Sequence, residues 1–194
     1  MRRITFTLLL MLFFFNSQSQ SMYGQTDYMY GTMGNRTETL VGYFSFDYEI
    51  SQNGQTVYFW KGPGSGRPKS FQSRKYDYFR GDSVYMEKFG GYQALGGKVE
   101  LLIPRIVDGR IQLFELFFKW GPGHLAKSDR YFVKKGEEKF QLKKKKFKEQ
   151  MKSLINEDAD LLKKVESGEL TYDNLIDVIL MYNNKILSAD TNLQ

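Results

Sequence analysis

The sequence predicts an α+β fold. The expected form is an antiparallel, curled or barrel-like sheet of about seven or eight strands, with two or three C-terminal helices packed on it. Three observations carry this. Aromatic residues make up 16% of the chain, with 16 Phe and 13 Tyr against 2 Trp, a composition that favours strands. Between residues 40 and 142, short runs of alternating character are separated by Gly, Asn and Asp turn residues. From Lys143 onward the apolar spacing changes to that of a helix.

The first nineteen residues read as a secretory signal peptide. Met1-Arg2-Arg3 is a positive start, and residues 4–15, ITFTLLLMLFFF, form an uncharged apolar run. A polar NSQSQS stretch follows, with small residues at Ser17 and Ser19 that place the cleavage after Ser19, and Ser19 and Ser21 offering a second register with the cut after Ser21. The run is far shorter than the roughly 20 residues a spanning helix needs. Export to the periplasm or outside of a bacterial envelope is therefore expected, with no integral span after the signal is removed. The chain has no Cys, which excludes disulfides, thiolate zinc sites, cysteine nucleophiles and a lipidated cysteine anchor.

Residues 20–38 mix Gly, Tyr, Met and polar side chains without a clean period and read as a flexible arm. A β-rich domain is expected over 39–142. In YFSFDYEI, Phe44, Phe46, Tyr48 and Ile50 fall on one side and Ser45, Asp47 and Glu49 on the other. Asn53-Gly54 follows, and predicts a tight antiparallel hairpin between 40–52 and 55–61. GPGSGRPKS at 62–70 is a turn cluster, 71–79 a short strand, 83–89 another, and 90–97 a loop. Residues 98–107 and 110–120 flank Asp108-Gly109 as a second hairpin. Pro104 cannot donate to a ladder, which places its strand at an edge or bulges it there. Residues 121–129 are expected to break the sheet, and a last hairpin turns around Gly136. Trp60 and Trp120 both end an aromatic strand just before Gly-Pro-Gly, so they either flank a cleft or cap the core, and they are weak binding candidates.

A helical tail is expected over 143–187, packed on the sheet, with 188–194 frayed. Phe147, Met151, Leu154 and Ile155 share one helix face. Asp158 or Asn156 caps a second helix carrying Leu161, Leu162 and Val165, and Gly168 ends it. Thr171 caps a third, with Leu175, Ile176, Ile179, Leu180, Tyr182 and Ile186 on one side.

Charge is unevenly spread. The whole chain carries +6, yet residues 134–152 hold nine Lys against three Glu, and 153–194 hold eight acids against three Lys. Lys143, Lys144, Lys145 and Lys146 are therefore weak candidates for a contact with an anionic surface, and a solvated face is the preferred reading. The run holds no Arg, which disfavours bidentate phosphate recognition, and an exported chain makes nucleic acid an unexpected partner.

No catalytic, cofactor or metal motif emerges. His124 is the single imidazole, and its neighbours Ser128 and Asp129 are adjacent only in sequence. Glu87, Glu100 and Glu115 lie on expected strands, and Glu100 and Glu115 read as outward positions. Asn35-Arg36-Thr37 matches the N-linked acceptor pattern, and Asp82-Ser83-Val84 matches a short O-glycosylation pattern.

The run Gly81–Phe89, the run Gly97–Leu102, Arg130–Gly136 and the tail residues Tyr182-Asn183-Asn184 together resemble a diffuse group of small exported bacterial proteins. In that group a strand-rich body precedes a Lys-rich helical tail ending near Tyr-Asn. The resemblance implies export and the body-plus-tail layout, and brings no activity. The reading at this point is an exported envelope protein that binds or supports without catalysis. The alternative is a hydrolase of glycans or other envelope polymers working through a carboxylate pair.

Overall fold

The computed structural model describes residues 28–47, 54–63, 65–94, 97–119 and 125–191. The expected signal segment, Asn53, Trp120 and His124 lie outside these. The described chain forms ten strands: β1 (Met29–Gly34), β2 (Thr39–Phe46), β3 (Thr56–Trp60), β4 (Lys69–Gln72), β5 (Tyr78–Gly81), β6 (Tyr85–Ala94), β7 (Gly97–Val107), β8 (Ile111–Lys119), β9 (Leu125–Lys135) and β10 (Glu138–Gln141). They make one antiparallel sheet, ordered β10-β9-β8-β7-β6-β5-β1-β2-β3-β4. Two meanders, β1–β4 and β5–β10, thus meet side by side where β1 pairs with β5.

That order forces a curl. In a flat sheet β4 and β5 stand four strand spacings apart, roughly 19 Å. Only residues 73–77 connect them, and Ser73–Lys75 are wound into a 3-10 turn. The strip β4-β3-β2-β1-β5 must therefore roll up. The turn lands against β7, and Ser73 N–H donates to the Gln55 carbonyl. The roll stays open, but its concave face is a dry cluster of Met33, Phe44, Phe46, Val57, Phe59, Tyr76, Phe79, Met86 and Leu102. Phe79 is fully buried, with Phe44 and Phe46 at ring-centre distances of 5.2 and 5.0 Å.

Strand β1 comes from the expected flexible arm. Its inward positions include Gly31 and Met33, and a Cβ on Gly31 would stand 2.9 Å from the Phe79 ring. A glycine that makes room for a large ring removes the apolar period by which a strand is recognised. The expected strand at 71–79 divides into β4 and β5 around the 3-10 turn. The expected loop at 90–97 is mostly strand, because a register shift between Phe89 and Tyr92 absorbs the glycines, with Gly91 at φ +84°. Strand β9 already runs from Leu125, where a break was expected.

The β2–β3 hairpin forms with a different register. A two-residue Asn53-Gly54 turn would pair Phe46 with Lys61, but Phe46 pairs with Val57. Residues 48–53 lie outside the described residues, and Gly54, at φ +95°, sits beside the Glu100 carbonyl of β7. Pro104 is not at an edge. It faces Met86 of β6, and the ladder from β7 to β8 shifts between Arg105 and Val107. Strand β7 is handed there from the rolled half to the second half.

The second half is backed by helices α1 (Phe147–Leu154), α2 (Ala159–Ser167) and α3 (Leu175–Thr191). Ile111, Leu113 and Val133 of the sheet pack with Met151, Leu154, Val165, Val178, Ile179 and Tyr182 of the helices. Asp158 caps α2 through Leu161 N–H at 3.2 Å, and Gly168 ends it at φ +85°. Thr171 and Asn174 form a reciprocal capping box before α3. Ile176 and Leu180, expected to face the core, are 39% and 41% exposed. The expected Leu175, Ile179 and Tyr182 are buried, Ile186 packs partly buried beside them, and Val178 completes the stripe at i, i+3, i+4, i+7 spacing, with Ile176 and Leu180 at its margins. Asn183, one residue on, completes the seam. Its Oδ1 accepts the Ile111 N–H at 2.9 Å, and its Nδ2 donates to the Ile111 carbonyl at 2.8 Å.

Candidate binding face

Cross-strand partners point to the same side of a sheet. The register Tyr30↔Tyr43↔Trp60 and Thr32↔Arg80↔Tyr85 therefore gathers these side chains on the convex face, opposite the rolled core. Among the described residues, the α-helices pack against β7 and β8 and not on this face of β1–β3. Tyr28 and Tyr30 are 40% and 50% exposed. Tyr28 meets the edge of Trp60 at 4.8 Å, and Tyr30 meets Tyr43 at 5.2 Å.

Trp60 is thus the floor of an aromatic strip, 7% exposed under Tyr28, and not a free plate. Trp120 lies outside the described residues. The strands that end nearest the two Trp positions, β3 and β8, have five strands between them in the sheet.

Beside the strip, the turn Gly81–Val84 separates two hollows. One, of about 170 Å³, is lined by Tyr28, Met29, Tyr30 and the turn. The other, of about 500 Å³, is lined by the turn with Arg80, Tyr85, Arg105, Gln112 and Lys134. Arg105 lies 4.5 Å from the centre of the Tyr85 ring and Arg80 5.9 Å from it, so one ring carries two guanidinium groups. Arg105 also pairs with Asp108 at 2.8 Å. Arg80 is exposed and has no ion pair among the described residues. The Gln112 Oε1 is buried without a partner.

Glu87 lies two residues beyond Tyr85 on the same side of β6. It is 6% exposed, accepts from Lys134 at 2.9 Å and pairs with Lys139. Burial alone pushes its pKa up, but the hydrogen bonds from Lys139 and Lys134 outweigh this, and the carboxyl sits below its ordinary value. It is held as a carboxylate. The Tyr85 hydroxyl donates to it at 3.3 Å, and burial first, then the Glu87 charge, raises the Tyr85 pKa.

Among the other expected carboxylates, Glu100 is exposed, but Glu115 is 3% exposed, not outward. Strand β8 is interior and covered on both faces, with Ile111 and Leu113 under the helices and Phe114 and Leu116 against β6 and β7. None of these glutamates lines the hollow with Asp82, its single carboxylate.

The lysine run is not part of a helix. Lys144–Lys146 form a 3-10 turn leading into α1, with all four side chains exposed. Lys144 pairs with Asp173 at 2.8 Å and Lys146 approaches Glu149 at 3.9 Å. The turn lines a shallow hollow with Leu170, Thr171 and Tyr172, far along the chain from the convex strip. Of the two glycosylation patterns, Asn35 is occupied. Its Oδ1 accepts the Thr37 and Glu38 N–H groups, and its Nδ2 donates to the Lys75 carbonyl at 2.8 Å. Ser83 is exposed at the tip of the β5–β6 turn.

Arg80 and Arg105 escape sequence reading because 24 intervening residues separate them and no motif links them. Only the paired registers of β5–β6 and β6–β7 bring both beside Tyr85. No family model, curated protein or solved structure matches the chain. No helix among the described residues is long and apolar enough to cross a membrane.

Proposed function

We propose that this is an exported, non-catalytic binding protein of a bacterial cell envelope, and that Arg80, Arg105 and Lys134 hold an anionic ligand. The observation that carries the reading is the pair of guanidinium groups on the Tyr85 ring. Two like charges on one ring, one of them without an ion pair among the described residues, leave an attractive position for a carboxylate or phosphate. Charge-assisted bonds from such groups are roughly twice as strong as neutral ones. Binding is favoured over hydrolysis because the hollow with the arginines is lined by one carboxylate, Asp82, whereas glycoside hydrolysis works through a pair. Export is supported by Arg2-Arg3, the apolar run and the small residues at 17 and 19. In this reading the Lys143–Lys146 turn is a solvated edge.

Calorimetric titration with inorganic pyrophosphate and with poly-glutamate tests the site. The expected result is binding that weakens as salt is raised and is lost in Arg80→Gln. Equal binding by wild type and Arg80→Gln overturns the assignment. Mass spectrometry of the N-terminus from the native host tests export, with residues 1–19 expected to be missing. An intact Met1 in a cytoplasmic pool overturns it.

A further inference from the structure

The small hollow and the large one share the four residues of the Gly81–Val84 turn, and their remaining linings differ in chemistry. One side offers the exposed rings of Tyr28 and Tyr30, the other offers Arg80, Arg105 and Lys134. We propose that the ligand is an acidic saccharide chain, with a sugar ring lying on Tyr30 and Tyr28 and a carboxylate or phosphate of the same chain held by Arg80 and Arg105. This rests on the anion site proposed above and adds the ring subsite.

Several features select a sugar. Exposed aromatic rings on a rigid strand offer apolar area with little ordering cost, and the C–H face of a pyranose matches such a surface. The rings are braced. Tyr28 is locked on Trp60 and Tyr30 on Tyr43, so neither collapses into the other's place. An inorganic anion needs no aromatic platform, and a flat apolar ligand needs no second arginine. The turn between the hollows ends in Asp82 and Ser83, both exposed, which supply an acceptor and a hydroxyl to a polyhydroxylated chain. A chain passing over a single four-residue turn reaches both subsites, whereas a free phosphate reaches one.

The test uses the whole secreted protein and three probes of matched length: oligogalacturonate as the carboxylate source, phosphomannan as the phosphate source, and poly-glutamate as an anion without sugar. Fully methyl-esterified oligogalacturonate is the uncharged control. Oligogalacturonate or phosphomannan is expected to bind, whichever it is naming the source of charge, and the esterified chain at least about tenfold more weakly. Tyr30→Ala is expected to weaken saccharide binding about tenfold while leaving poly-glutamate binding unchanged, and Tyr30→Phe to restore it. Arg80→Gln is expected to weaken all charged probes. Tyr30 and Arg80 are both exposed, and an unchanged thermal melt for each variant confirms that folding is intact. Binding of all three anions that ignores Tyr30 overturns the saccharide inference and leaves the anion site standing. Failure of every anion to bind overturns both.

Discussion

The two halves of the sheet solve the same problem differently. In the half formed by the end of β7 with β8–β10, one face is buried by three helices that the chain adds afterwards. In the half formed by β1–β6, no helix is spent. The sheet buries its own Phe and Met residues by rolling, as the short 73–77 link requires. The difference lies in what each leaves behind. Helices occupy a face, whereas rolling buries the concave side and leaves part of the convex side, around Tyr28, Tyr30 and Arg80, exposed. The proposed binding site therefore lies in the half of the sheet that buries its core by rolling.

Core truncations probe the contrast most strongly. Phe79→Ala is expected to cost about 3–5 kcal/mol, because Phe44 and Phe46 cannot close over the hole in a roll held by rings. Leu113→Ala, where separate helices can settle toward the hole, is expected to cost less, at about 2–3 kcal/mol. Urea unfolding measures both, and an equal cost would show that helices relax no better than the roll. Asn183→Ala is expected to cost about 2–4 kcal/mol by stranding both backbone groups of Ile111. Amide exchange at Ile111 should accelerate while that of Phe44 stays slow.

Smaller effects sharpen the boundary between the halves. Gly54→Val forces a β-branched residue to φ +95° next to β7 and is expected to cost about 1–3 kcal/mol. Acid should act through Glu87, which ties β6 to β9 and β10. Its folded pKa is depressed, so its contribution is present above the ordinary 4.5 and is lost as pH falls below that. Melts between pH 7 and pH 3 should show a shallower decline in Glu87→Gln than in wild type. Changing Lys143, Lys144, Lys145 and Lys146 to Gln should move stability by less than about 0.5 kcal/mol. Loss of Lys144–Asp173 is offset by removing cations from the positive end of α1. Neither protein should bind anionic vesicles, and salt-sensitive binding by wild type alone would make the turn a contact surface.

The helix-backed half was legible in sequence because its signals are local. Phe147, Met151 and Leu154 repeat at helical spacing, Asp158 and Gly168 mark the ends of one helix, and Gly136 turns the last hairpin. The rolled half was only partly legible. Phe44 and Phe46 alternate as a strand should, but β1 hides behind Gly31, and the glycines near Gly91 disguise a bulge as a loop. Glu100 and Glu115 both read as outward, and Glu115 is not, because alternation cannot show that both faces of an interior strand are covered. The binding face was the least legible part. Trp60 drew attention as a large ring, yet Tyr28 covers it, and Arg80 and Arg105 become neighbours only through two strand registers.

The contact between Asn183 and Ile111 spans 72 residues and carries a consequence for synthesis. Strand β8 is translated long before the side chain that satisfies its first backbone groups. Until α3 leaves the ribosome, the β7–β8 hairpin lacks both those bonds and the apolar cover of Tyr182 and Ile179. A nascent chain therefore stays short of its final state until almost all of it exists. Under the export proposed above, which threads the polypeptide through a translocon unfolded, such lateness is an asset, since the last segment to be made is the one that locks the rest.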